Sequence, residues 1–297
     1  MGGSSAGTDD GDVTDRGADH RVLFPVDGDV TDAVLDMVAA IVTDLDATLY
    51  LGAPVQVPNQ TPLDTPQLQR RGERMAAQYA LQIHQHTNPD GWVETVVDVG
   101  HRRTHILEDL VDTHDIQTLI TDGSAAPNLE SRLGIEGIDN TAIDGTCDTI
   151  YLTRVDTVDA IDSVVVPVAD GPHAAFAVQV GTAIARHHDT TLELFHVYEP
   201  DGKTSRAAGR SLLDRARQLV DDYDAVETTL RGSFEHRTKV LEYTDDAAVT
   251  VLGAPREGLL RQYVQGSIPA TVGANTDGIV ITTHRGGTET SWLERWL

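Results

Sequence analysis

Five short segments of this chain recur, in the same order, in its second half. "RVLFPVDG" from Arg21 returns as "SVVVPVADG" from Ser163, with Pro25 matching Pro167. "DATLYL" from Asp46 returns as "DTTLEL" from Asp189, and "VETVVDVG" from Val93 as "VETTLRG" from Val226. "RTHILE" from Arg103 returns as "RTKVLE" from Arg237, and "TIYLT" from Thr149 as "GIVIT" from Gly278. The offset between the copies shrinks along the chain, as insertions and deletions in loops would make it do. One echo can arise by chance, but five in register point to a tandem duplication. The join falls near residues 156–162. The expected organisation is a tail over 1–20, one domain over 21–155, a second over 162–285, and a C-terminal stretch over 286–297.

Each copy alternates short β-rich runs with helical stretches. "SVVVPV" is apolar on both of its faces, which suits a strand covered by helices on either side. "AAFAVQVGTAIARHH" carries Phe176, Val180 and Ile184 on one helical stripe. "TLELFHVY", "VETTLRG", "VTVLG" and "GIVITT" read as further strands, separated by helices. Strand–helix alternation implies parallel pairing through right-handed crossovers. The predicted fold is therefore α/β: two repeats of a five-stranded, parallel-type sheet flanked by helices on both faces.

Charge narrows the partners. The 297 residues include 47 acidic and 22 basic side chains, a formal net charge of -25. Lysine occurs only at Lys203 and Lys239. Such a surface repels nucleic acid and anionic lipid, and neither is an expected partner. A 40% hydrophobic content supports packed cores rather than disorder. The acidity resembles that of proteins from salt-accumulating halophiles, where salt screens the self-repulsion. Cys147 is the single cysteine, which fits a reducing cytoplasm and a small core residue. No apolar run reaches the ~20 residues of a membrane span. The acidic, glycine-rich start lacks the pattern of a signal peptide and reads as a flexible tail.

The twelve histidines offer no familiar metal spacing. His84 and His86 are two apart and point apart on a helix, while His101 and His105 straddle a strand end and a helix start. His187 and His188 close a helix, where such side chains meet free carbonyls. No metal site is expected, and no nucleophile elbow, Walker loop or dinucleotide fingerprint is visible.

The stretch "VTVLGAPREGLLRQYVQGSIPATV" leaves a buried strand through Gly253 and restarts at Gly266-Ser267, ahead of a helix-like segment. A Gly-Ser pair opening a helix offers free amides and a hydroxyl to an anion, although a tight turn and a cap would account for the same residues. With the "LFPVDG" and "VVPVADG" first strands, this loop resembles the tandem form of the universal stress protein family. The resemblance covers roughly residues 21–285.

It implies an adenine nucleotide alpha hydrolase-like fold in which the two halves form an intramolecular pseudo-dimer through their last strands. It also implies a Gly-x2-Gly-x9-Gly-Ser/Thr loop for ATP or another adenine nucleotide. In the second half, Gly253, Gly266 and Ser267 fit that loop, while Arg256 stands at its second glycine and Gly258 follows two residues later. Arg256 either contacts a phosphate or fills its space, paired with an acid such as Glu257. Ala169 takes the position of the family's first-strand aspartate, leaving Asp170 beside it, and Val197 sits where the second strand contacts the nucleotide.

In the first half Asp27 fits the aspartate position. Thr121, Ser124, Gly134 and Ile135 occupy the loop positions, and only Gly134 matches. That half is expected to be a degenerate site. The implied function is a non-enzymatic stress-response or regulatory protein with an adenine nucleotide in the second half. The alternative is a nucleotide-free scaffold acting on a partner such as a membrane transporter. At the C-terminus, Trp292 and Trp296 with Leu293 and Leu297 make an apolar strip that either folds back or docks a partner or a second chain.

Overall fold

The structure, a computed structural model, describes residues 20–26, 28–86, 93–123, 147–155, 160–200, 206–220, 223–254, 272 and 278–286. The first half runs β1 (Arg21–Pro25), α1 (Asp32–Asp44), β2 (Thr48–Gln56), α2 (Pro66–Ile83), β3 (Val93–Gly100), α3 (Arg103–Thr113), β4 (Thr118–Asp122) and β5 (Asp148–Thr153). The second runs β6 (Ser163–Pro167), α4 (Pro172–His187), β7 (Thr191–Tyr198), α5 (Arg206–Gln218), β8 (Val226–Gly232), α6 (His236–Thr244), β9 (Val249–Gly253) and β10 (Ile279–His284). The repeated segments of the sequence are thus the paired elements β1/β6, β2/β7, β3/β8, α3/α6 and β5/β10.

All ten strands join one sheet in the order β3-β2-β1-β4-β5-β10-β9-β6-β7-β8. Pairing is parallel within each half. The halves meet where β5 and β10 run antiparallel, with Ile281 opposite Leu152. Each half has its own switch point. β1 leads outward to β2 and β3, and β4 then enters on its other side. β6 likewise lies between β7 and β9.

Strand alternation explains the doubly apolar runs. Val22 and Phe24 of β1, with Val164 and Val166 of β6, face one layer that α1, α2, α4 and α5 cover across both halves. Leu23 faces the opposite layer, under α3, and Val165 faces a separate cluster that includes Val240 of α6. A strand buried on both faces has no polar face to show, so its sequence does not alternate. The helix ends are specified locally. Thr31 caps α1 by accepting a hydrogen bond from the Val34 amide at 3.4 Å. Pro66 and Pro172 stand at the first helical positions of α2 and α4, where no amide bond is lost. The helix stripe read from Phe176, Val180 and Ile184 is buried on the shared layer.

No helix among the described residues is long and apolar enough to cross a membrane. Cys147 is a buried thiol in the cluster that holds Leu23 and Leu119.

Candidate functional site

In an open α/β sheet a ligand cleft forms beyond the carboxyl ends of the strands, at the point where chain connections diverge. In the second half that point lies between β6 and β9. Gly253 ends β9 there, Asp170 follows β6, and Val197 lies near the end of neighbouring β7. Three residues that the sequence brings forward therefore come from strand ends at one edge of the sheet. Asp27, Gly134, Arg256, Gly266 and Ser267 lie outside the described residues, as do Gly258, Ser124, Ile135, Trp292 and Trp296.

Gly253 is a glycine because the first turn of α4 comes down on it. A methyl group there would lie 2.7 Å from the carbonyl carbon of His173 and 2.8 Å from both the His173 oxygen and the Ala174 nitrogen. The chain enters that turn through Gly171, whose φ of 132° is open to glycine and strained for other residues. No side chain caps α4 at Gly171. The amide of Ala254, the first beyond β9, donates to the Thr283 carbonyl at 2.7 Å. The first half repeats this contact, with Gly123 donating to the Leu152 carbonyl at 2.7 Å.

Asp170 is exposed and turns toward α5, 3.5 Å from an Arg215 guanidinium nitrogen. The Val197 side chain is buried among Val165, Phe195 and Leu252, so only its backbone faces the edge. His196, beside it, contacts the Val168 carbonyl through Nδ1 at 2.8 Å and thereby ties the end of β7 to the loop after β6. In the first half the corresponding turn is closed by Tyr79 of α2. Its hydroxyl donates to the Gly28 carbonyl at 2.8 Å and accepts from the Val30 amide at 3.2 Å.

Beneath the second-half edge lies a largely buried polar set that no sequence motif marks. The rings of His173 and His284 stack with centroids 4.7 Å apart, and His173 Nδ1 accepts from the Arg285 amide at 2.8 Å. The Arg285 guanidinium lies 4.9 Å from the Phe176 ring centroid and 3.1 Å from Asp148 of β5. Burial pushes the Asp148 carboxyl up to about 6, outweighing the neighbouring Arg285 charge and the Gly286 amide that donates to it. The same burial brings Arg285 down to about 10.

A second constellation sits on the helical layer where the halves meet. Asp36 of α1 has His187 Nε2 at 3.1 Å, His188 Nε2 at 3.4 Å and His86 Nδ1 at 3.3 Å. The sequence shows His187 and His188 only as a helix end. Their proximity to Asp36 depends on α1 packing against α4, which no local pattern announces. The hydrogen bond from His187 holds the Asp36 carboxyl below its ordinary range against the opposing effect of burial. Burial also pushes His188 down, toward the neutral imidazole.

No protein-family model and no curated protein matches the sequence. Solved structures do. A universal stress protein from Archaeoglobus fulgidus superposes with a TM-score of 0.56 at 14% identity, over 91% of this chain and 97% of that one. A Pseudomonas aeruginosa protein assigned to the same family gives 0.54 at 14% identity, over 89% and 92%. The cytoplasmic domain of a prokaryotic cation chloride cotransporter gives 0.57 at 8% identity, over 91% and 97%. The chain therefore has the universal stress protein fold along nearly its whole length, as the "VVPVADG" strand and the Gly253 loop lead one to expect.

Proposed function

We propose that the chain is a cytoplasmic, non-enzymatic regulatory protein of the tandem universal stress protein type. Its two units, 21–155 and 162–285, act as an intramolecular pair, and the second unit binds an adenine nucleotide, ATP foremost. The observation that carries this reading is the position of Gly253, Asp170 and Val197 at strand ends around the β6/β9 switch point. Gly266 and Ser267 would supply amides and a hydroxyl to the phosphates, and Arg256 a charge-assisted contact. Val197 would contribute through its backbone. Asp170 would have to leave Arg215, a surface pair whose loss costs under about 1 kcal/mol. In the first unit, the Tyr79 closure and the lone Gly134 match favour a degenerate site around Asp27. The antiparallel β5–β10 seam supports the intramolecular pair, because it covers edges that would otherwise be open.

A second reading, a nucleotide-free scaffold that acts on a partner such as a membrane transporter, is favoured by the tight seat of α4 on Gly253 and by the occupied Ala254 amide. Calorimetric titration with ATP in high salt separates the two. Saturable heat that disappears in Gly266→Val supports the nucleotide reading. A folded sample that gives no heat at about 1 mM ATP, a concentration that detects binding as weak as about -4 kcal/mol, leaves the scaffold. Phosphate release above background would contradict the non-enzymatic assignment.

A further inference from the structure

We propose that Asp36, His187 and His188, with His86 at their edge, form a site for a zinc-class transition-metal ion that clamps α1 to α4 across the two halves. The donors come from three separate stretches of chain. Asp36 lies in the second turn of α1, His86 just past α2, and His187 and His188 at the end of α4. One donor atom each from Asp36, His187 and His188 lies within 4.8 Å of the other two. A tetrahedral ion with ligand bonds of about 2.0–2.1 Å holds neighbouring donors about 3.3 Å apart. His187 Nε2 stands 3.1 Å from Oδ1 of Asp36 and His188 Nε2 stands 3.4 Å from Oδ2, so each imidazole is near that spacing from one oxygen of the carboxylate. The donor atoms thus converge closely enough for a small shift to bring them around one ion.

A further observation points to a ligand independently. Nε2 of His188 is buried and makes no hydrogen bond, although it faces the Asp36 carboxylate. A buried polar atom with no hydrogen bond is uncommon and calls for an explanation. A metal ion supplies one, since a neutral imidazole nitrogen is a good ligand and a poor orphan. The His187 and His188 rings stand edge to face at 80°, so the two nitrogens approach Asp36 along different directions. The end of α4 adds the negative end of a helix dipole, which favours a cation. Two imidazoles and a carboxylate select zinc, nickel, cobalt or copper over magnesium and calcium, which prefer all-oxygen shells. The four side chains are 19–29% exposed, leaving one side open for water or for exchange of the ion. Because Asp36 and His86 belong to the first half and His187 and His188 to the second, binding would stabilise the contact between the halves.

The test uses the tag-free full chain, stripped with a chelator and kept in high salt so that the acidic surface is screened. Titration with Zn2+ is expected to show one equivalent bound with Kd below about 10 μM, and a raised unfolding temperature. Mg2+ should do neither. Asp36→Asn and the double change His187→Gln/His188→Gln should each weaken Zn2+ at least about tenfold while keeping the native circular dichroism. Co2+ bound to the unaltered chain should give the intense visible bands of a tetrahedral nitrogen–oxygen site, a readout that needs no variant to fold. The proposal is overturned by absence of those bands, by Mg2+ binding as well as Zn2+, or by Zn2+ affinity that survives in a folded variant.

Discussion

Asp46, Asp115 and Asp189 share a backbone conformation that few residues adopt. Their φ angles are 47°, 48° and 50°, and each follows the end of a helix. The residue after each one donates back across the helix end: Ala47 to the Val42 carbonyl, Ile116 to Val111 and Thr190 to Ala185. This is the left-handed termination usually given to glycine, and aspartate tolerates it better than most side chains. The matching "DATLYL" and "DTTLEL" segments therefore record a repeated helix stop as well as a repeated strand. Asp46→Val is expected to destabilise the fold by about 1–2 kcal/mol, and Asp46→Gly to be neutral or better. Urea unfolding midpoints of the two variants check this, and equal losses for both would refute it.

At the scale of elements, α4 organises the second half. It packs on β6, β9 and β10, reaches across to α1, and lays its first turn on Gly253. Gly253→Ala places a methyl against backbone atoms that cannot rotate away. The expected loss is about 1–3 kcal/mol of stability, with or without nucleotide present. Thermal unfolding of the ligand-free variant measures it. A variant that unfolds like the parent protein would show that α4 sits more loosely, and that the glycine serves a ligand alone. The outer strands β3 and β8 carry exposed charged residues, Glu94 and Glu227 among them, which discourage further strand addition at the sheet edges.

At the scale of the whole molecule, the halves are joined by the β5–β10 ladder, by the packing of α1 on α4, and by a partly buried ion pair that links the start of β5 to the end of β10. That pair, Asp148 with Arg285, sets a pH dependence. The Asp148 carboxyl titrates at about 6 in the folded protein, against 3.8 ordinarily. Between those values the folded state holds the proton more firmly than the unfolded one. Stability contributed by this group is therefore greatest in acid and falls as pH rises through about 4 to 6, by up to about 3 kcal/mol. Denaturant titrations across that range should show the decline superimposed on the other carboxylates. In Asp148→Asn the decline should vanish, although the variant is less stable at pH 7 because Arg285 loses its buried partner. An unchanged pH profile in that variant would refute the assignment.

Sequence alone determined the α/β class and most strand positions, because these follow from local periodicity, and its echoing segments around Pro25 and Pro167 fall on β1 and β6. Gly253 stood out as a local signal at a strand end, whereas Asp170 and Val197 came forward only through the resemblance to the universal stress protein family. The sequence did not reveal that Gly253 is held by the backbone of His173 and Ala174, or that Asp170 turns to Arg215. Nor did it reveal the joining of Asp36, His86, His187 and His188. Those arrangements depend on how helices far apart in the chain pack over one sheet. Such packing is decided by the combined burial of many apolar side chains, and no short stretch of residues encodes it.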